Sequence, residues 1–467
     1  MASTEPHPGG AVSKQGKAER RIILLNPPSP PGLTANREGA GGLGAWSAGD
    51  QGFIYPPHTL AATAALLRAH DWDVQIVDAA GERLTPEQTM RRLEQPSAII
   101  AVQVAHISLD SDIQFLNALR PAIGAARLLA IGASAAFVEP HLRERTDVDH
   151  IVLGEPEAML LPVSQALTAA GSAGRLRRTV TANDVASPGV DPDGRLLDLD
   201  GLPHPAWDLL PLSRYGFVTI FASRGCDDTC TFCPYAVGQG RRFRPRAAQS
   251  VVDEMAWLDS AFAPKRVIVR DPVFAHDRGR VESICNGLLA RGVRLAWECE
   301  SRPEHFDADL LRLMQRAGCT TIKLGFETVS EPVLRELRRI PADGLATDYL
   351  RQTSSIARMC RSLGLACRLF VMTGLPGQSD QDVIDTMQFL RAVRPAAVHV
   401  KPFHRYPGLA MLGIVPTDER QRGEAQAAYM EATIAEMQPR PLPAPLRSAR
   451  RWLAQHIAWR PSGRQQG

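Results

Sequence analysis

Short apolar runs alternate with stretches of helical periodicity twice along this chain, and that alternation points to parallel α/β sheets. The first series predicts strands at Ile22–Leu25, Val74–Val77, Ala98–Val104, Leu128–Ile131 and His150–Leu153. Helices are expected between them at Thr59–Ala69, Pro86–Glu94 and Ile113–Leu119. Such a spacing gives a doubly wound, Rossmann-like parallel sheet, whose ligands bind beyond the carboxyl ends of its strands. The second series predicts strands at Phe217–Ala222, Arg266–Val269, Leu295–Cys299, Thr320–Gly325, Ala366–Met372 and Ala397–Val400. Helices are expected at Ala248–Asp259, Arg278–Arg291, Asp307–Arg316, Pro332–Arg338 and Leu345–Leu363. Six β/α units make a partial (β/α)6 barrel, with reactive groups at the C-terminal ends of its strands.

The two series divide the chain. Residues 1–20 read as a disordered tail, 21–165 as the Rossmann-like domain, 166–212 as a connector, 213–412 as the partial barrel and 413–467 as a small helical, basic region. Within the first domain, residues 29–52 are rich in Gly, Ser and Pro, and a stretch of that length is expected to cover a ligand. Six arginines and no acidic residue lie in 437–467, which reads as a solvated helical end.

A net charge of +3 is too small to argue for nucleic acid. No apolar run approaches the roughly 20 residues needed to span a bilayer, and no secretory signal is evident, so a cytoplasmic location is expected. All eight cysteines lie at or after Cys226. Five of them, Cys285, Cys299, Cys319, Cys360 and Cys367, are isolated and read as small buried hydrophobes.

The other three, Cys226, Cys230 and Cys233, have the spacing C-x3-C-x2-C and follow the first barrel strand. Three thiolates can hold three irons of a 4Fe–4S cube and leave the fourth iron open for chemistry. Zinc is the alternative, although structural zinc usually takes four ligands in paired sets and no second pair is evident here.

The cysteine spacing, with Phe232 before the third Cys, resembles the radical S-adenosylmethionine (SAM) superfamily. More of the chain is similar to its cobalamin-binding branch. The similar stretches are Ile23-Leu-Leu-Asn-Pro-Pro28, Tyr55-Pro-Pro-His-Thr-Leu60, Asp147–Glu157, the connector Asp198–Leu212, Leu324-Gly-Phe-Glu-Thr328, Thr373–Gln378 and Arg405-Tyr-Pro-Gly408. The resemblance implies a corrinoid in the first domain, a 4Fe–4S cluster and SAM in the barrel, and cluster ligation by Cys226, Cys230 and Cys233. It implies SAM contacts from Phe232, Asp271, Arg302, Glu327, Gly374 and Pro376. Cobalamin contacts are implied for Ser108, Gly132, Gly154 and Glu155, with His106 also near. The chain lacks the Asp-x-His-x-x-Gly run of one corrinoid class, and has Ile131-Gly132 and Ala101 where relatives often have glycines.

The activity implied is transfer of a methyl from SAM, through methylcobalamin, to an unactivated carbon of a small-molecule natural-product intermediate. A ring rearrangement or oxidative cyclisation with the same cofactors is the alternative. Methylthiotransferases carry a second cluster on N-terminal cysteines, which this chain lacks. A corrinoid-binding regulator would not need all three cysteines. An electron donor such as flavodoxin or ferredoxin is implied, and a monomer is expected.

Overall fold

The computed structural model describes residues 20–48, 54–169, 176–185, 188–409 and 417–437. The tail expected at 1–20 and the arginine-rich stretch after Met437 lie almost wholly outside these residues.

The first sheet contains β1 (Arg21–Asn26), and after it comes a hairpin of β2 (Leu33–Asn36) and β3 (Ala45–Ala48). The sheet then takes β4 (Asp73–Asp78), β5 (Ile99–Gln103), β6 (Arg127–Ile131), β7 (His150–Val152) and β8 (Thr179–Val180). Its order is β4-β1-β5-β6-β7-β8, and every pairing is parallel. Alternate residues of β1 enter different cores, Ile22 and Leu24 on one face, Ile23 and Leu25 on the other. Burial on both faces is why these strands read as continuous apolar runs.

Within residues 29–48, part of the stretch expected to cover a ligand, the chain turns back on itself through β2 and β3. The stretch expected to be a weak connector supplies a sixth strand, β8, at the sheet's edge.

The second sheet uses β9 (Val218–Ile220), then, beyond a two-residue ladder of β10 (Ser223–Arg224) and β11 (Arg244–Pro245), β12 (Val267–Val269), β13 (Trp297–Ser301), β14 (Cys319–Glu327), β15 (Ala366–Thr373) and β16 (Ala397–Pro402). These six run in sequential order and in parallel. The third barrel strand starts two residues later than the apolar run suggested. Leu295 is buried at the strand entrance without pairing, so its apolarity marks burial and not the ladder. Helices cover the outer face of the sheet, and the helix Thr417–Met437 packs against β15, β16 and the helix Asp380–Val393, Thr373 Oγ1 donating to Gly423 O at 2.8 Å.

One apolar core runs from the first sheet into the barrel through the connector. Trp207 is fully buried in it, and Ala206 N donates to Ala61 O at 2.9 Å on the helix His58–Arg68. Strand order reverses at β1, which places the ligand crevice of a doubly wound sheet at the ends of β1 and β5. Arg37, carried in from the hairpin, fills that position with no exposed side-chain surface. Its guanidinium donates to Asn26 Oδ1 at 2.9 Å, to Pro27 O at 2.8 Å and to Asp112 Oδ1 at 2.5 Å.

Candidate active site at the barrel mouth

The cysteine loop leaves β10 and returns at β11, above the C-terminal ends of the barrel strands. All three thiols are free; Cys226 and Cys230 are buried and Cys233 is half-buried. Burial and the neighbouring Cys230 push Cys226 and Cys233 each up to about 12. A metal must therefore displace thiol protons on binding, as thiolate sites do. Phe232 packs with Cys230 against Val333, Leu337, Leu375 and Phe403, and Met372 lies at the edge of the same cluster. This shell keeps water from the Cys230 sulfur, which is one means by which a protein tunes a metal cluster.

Two guanidinium groups face the same sulfur. Arg302 Nη1 and Arg339 Nη1 each lie 3.9 Å from Cys230 Sγ. Arg302 also pairs with Asp228 at 3.0 Å and donates to Arg339 O at 3.0 Å. Arg339 is buried, with Tyr349 Oη at 3.2 Å. Sequence reasoning found Arg302 and missed Arg339, which follows the helix Glu331–Glu336 with no motif to mark it. Three free thiols on one loop, with two cations facing the middle one, have the chemistry of an anionic iron–sulfur site, while among the described residues no three His, Cys, Asp or Glu side chains converge as for a single metal ion.

Glu327 ends β14 at a register shift, with φ at +69°, a conformation costly for a residue with a side chain. Burial pushes its carboxyl up to about 7, with Arg339 pulling the other way. Glu300, on β13, is also raised by burial and faces Lys323 and Lys401. Deeper in the barrel, Lys323 pairs with fully buried Glu298 at 2.8 Å. Lys401 lies 5.1 Å over the Phe370 ring. The barrel interior is thus lined with charge and not with the aliphatic layers of a closed barrel.

An unfolded chain ionises Glu327 near the ordinary 4.5. The folded state is therefore favoured below that pH, and a contribution on the order of 3 kcal/mol is lost as pH rises through the folded value. Glu327→Gln is expected to reduce the fall in unfolding free energy between about pH 5 and 8. Urea titrations at several pH values check this; identical slopes for both proteins would contradict it.

The remaining SAM candidates have protein partners. Asp271 is buried, accepting from Ala222 N at 2.7 Å and Ser223 Oγ at 2.6 Å, and so anchors the strand that enters the cysteine loop. Gly374 has φ at +68° and packs against the C-terminal helix, where a Cβ on Gly423 would lie 2.8 Å from Gly374 Cα. Pro376 lies in the turn that follows, two residues before Gln378, whose backbone N donates to Leu375 O at 2.9 Å.

The cobalamin candidates are spread along the first sheet's edge. Ser108 is buried and donates to Asp112 Oδ2 at 2.8 Å. Gly132 has φ at +124°, and a Cβ there would meet Val104 O at 3.0 Å. Gly154 packs on Gly194, and Glu155 binds Arg244 of the barrel at 2.7 Å. His106 faces Tyr406 across the domain boundary, ring centroids 6.0 Å apart. An apolar cluster of Leu43, Phe137, Val237, Tyr406 and Leu409 lies at the same boundary. Gln103 Oε1, at the end of β5, and Glu157 Oε2 are buried there without a hydrogen-bond partner among the described residues. Gln103 and Glu157 line a cavity of about 460 Å³ at the sheet's carboxyl edge together with Gly41, Gly42, Ala133 and Glu155. Among the described residues no helix is long and apolar enough to cross a membrane.

Residues 220–390 match the family model of the radical SAM superfamily. An uncharacterised methyltransferase of Pyrococcus horikoshii is 24% identical over 347 residues, 72% of this chain and 73% of that protein. The anaerobic magnesium-protoporphyrin IX monomethyl ester cyclase of Synechocystis is 24% identical over 405 residues, 83% of this chain and 76% of its own. The radical SAM methyltransferase TsrM of Kitasatospora setae, solved with cobalamin and a 4Fe–4S cluster, superposes with a TM-score of 0.66 at 18% identity, covering 84% of this chain and 77% of that one. Residues 220–390 therefore form a radical SAM domain, and 84% of the chain shares the fold of that methyltransferase.

Proposed function

We propose that this protein is a cobalamin-dependent radical SAM methyltransferase that methylates an unactivated carbon of a small-molecule, natural-product intermediate. The observation that carries the reading is the trio of free thiols at the barrel mouth, with Arg302 and Arg339 turned onto Cys230. When bound, the cluster would supply the electron that cleaves SAM, and cobalamin a transferable methyl group.

The chain's own residues have distinct tasks. Cys226, Cys230 and Cys233 would hold three irons of the cluster. Arg302 and Arg339 offset the negative charge of thiolates and cluster. The ionised form of Glu327 accepts hydrogen bonds from SAM's ammonium or ribose hydroxyls. Phe232, Leu375 and Phe403 exclude water from the radical's path. His106, Ser108, Gly132 and Tyr406 would line the corrinoid site. Glu300 and Lys401 present opposite charges to the substrate. A small electron donor of the flavodoxin or ferredoxin type would supply the cluster's electron, and the protein would work as a cytoplasmic monomer.

A second reading keeps the cofactors and replaces methylation with ring formation, favoured by the cyclase among the relatives. Product mass separates the two. Incubation of reconstituted enzyme with methyl-labelled SAM and candidate substrates is expected to give a product heavier by one CH2 unit, carrying the label. A product of unchanged carbon count would favour the second reading.

A further inference from the structure

The turn that leaves the first sheet after β7 grips both ends of the cysteine loop. Arg224 on the entering strand and Arg244 on the returning strand stand opposite each other in the β10–β11 ladder. Arg244 holds Glu155 through two nitrogens, at 2.7 and 3.0 Å. Arg224 donates to Glu157 Oε1 at 2.6 Å and lies 3.4 Å from Glu155 Oε2. All four side chains are buried. Two carboxylates and two guanidinium groups make a neutral set in which each desolvated charge depends on the others.

The same residues reach into the loop. Arg244 Nη2 donates to Gln239 O at 2.8 Å, and Gln239 Oε1 accepts from Gly225 N at 3.2 Å. Cys226 N donates to Gly240 O at 3.2 Å. Closure is tight enough that a Cβ on Gly225 would lie 2.1 Å from Arg242 O. A ladder of two residues per strand is too short to hold such a loop alone.

We infer that Glu155 and Glu157 are positioning residues for the iron–sulfur cluster: from the first domain they fix both ends of the loop that carries its ligands. The inference rests on the reading of Cys226, Cys230 and Cys233 as those ligands.

The test uses the full chain, reconstituted anaerobically without SAM. Iron and sulfide per chain, the electron paramagnetic resonance spectrum of the dithionite-reduced cluster, and the rate of bleaching by a chelator are measured for wild type, Glu155→Gln, Glu157→Gln and Arg244→Lys. Leu142→Ala is the control, since Leu142 is fully buried in the opposite core of the first domain and does not touch the loop. Glu155→Gln is expected to lose iron to the chelator at least ten times faster than wild type, with shifted g-values. Glu157→Gln should move the same way by less, and Arg244→Lys should lie between wild type and Glu155→Gln. Leu142→Ala should lower the melting temperature yet bleach within twofold of wild type. Should Glu155→Gln fail to fold, Glu157→Gln decides, because its amide still accepts from Arg224. Wild-type bleaching rates and spectra in both Glu variants would overturn the inference, as would equally fast bleaching in Leu142→Ala. A wild type that holds no cluster would instead overturn the ligand assignment.

Discussion

Cys230→Ala is expected to leave a folded protein that has lost its broad absorbance near ~400 nm, or holds a cluster unable to cleave SAM. Cys230 is the middle ligand of the three, and the one that both Arg302 and Arg339 face. Two remaining thiolates cannot anchor a cube through three irons. Loss of one sulfur from an apolar shell costs on the order of 1 kcal/mol, too little to unfold a domain of this size. The melting temperature is therefore expected to fall by a few degrees while formation of 5′-deoxyadenosine drops below detection. SAM cleavage at the wild-type rate would refute the ligand assignment.

Asp112→Ala is expected to be the most destabilising substitution of the first domain away from its aliphatic core. Asp112 and Arg37 have no exposed side-chain surface, and the carboxylate also accepts from Ala105 N at 3.0 Å and Ser108 Oγ at 2.8 Å. The substitution strands a buried guanidinium at the sheet's switch point, where removal of one partner typically costs about 3–5 kcal/mol. Urea unfolding checks this. The replacement Arg37→Met with Asp112→Leu should recover much of the loss, because paired apolar side chains carry no desolvation penalty. A loss under about 1 kcal/mol for Asp112→Ala would show that the pair is solvated or unformed.

The strands were legible because parallel strands buried on both faces spell out runs such as Ile22–Leu25 and Leu128–Ile131. Helices were less so. Ala135–Arg145 and Pro156–Thr168 went unread, each with an internal proline, Pro140 or Pro162, that breaks the usual helical signature. The cysteine loop was legible as chemistry because its spacing is local. Partners distant in sequence were not. The partners that Glu155 and Asp271 find in the protein, Arg244 and Ser223, lie 89 and 48 residues away. Arg37 sits in a glycine-rich stretch that looks like open loop, and only the folded hairpin brings it to Asp112. Arg339 likewise acquires its position from the turn after a short helix, where Arg338 has φ at +53°.

The central claim is that Cys226, Cys230 and Cys233 hold a cluster that cleaves SAM beside a bound corrinoid. The most direct test reconstitutes the full chain anaerobically with iron, sulfide and hydroxocobalamin, then adds dithionite, SAM and candidate substrates. The account predicts about four irons and one corrinoid retained per chain, with 5′-deoxyadenosine formed. A chain that retains neither iron nor corrinoid, or that retains both and forms no 5′-deoxyadenosine with any substrate, would contradict it.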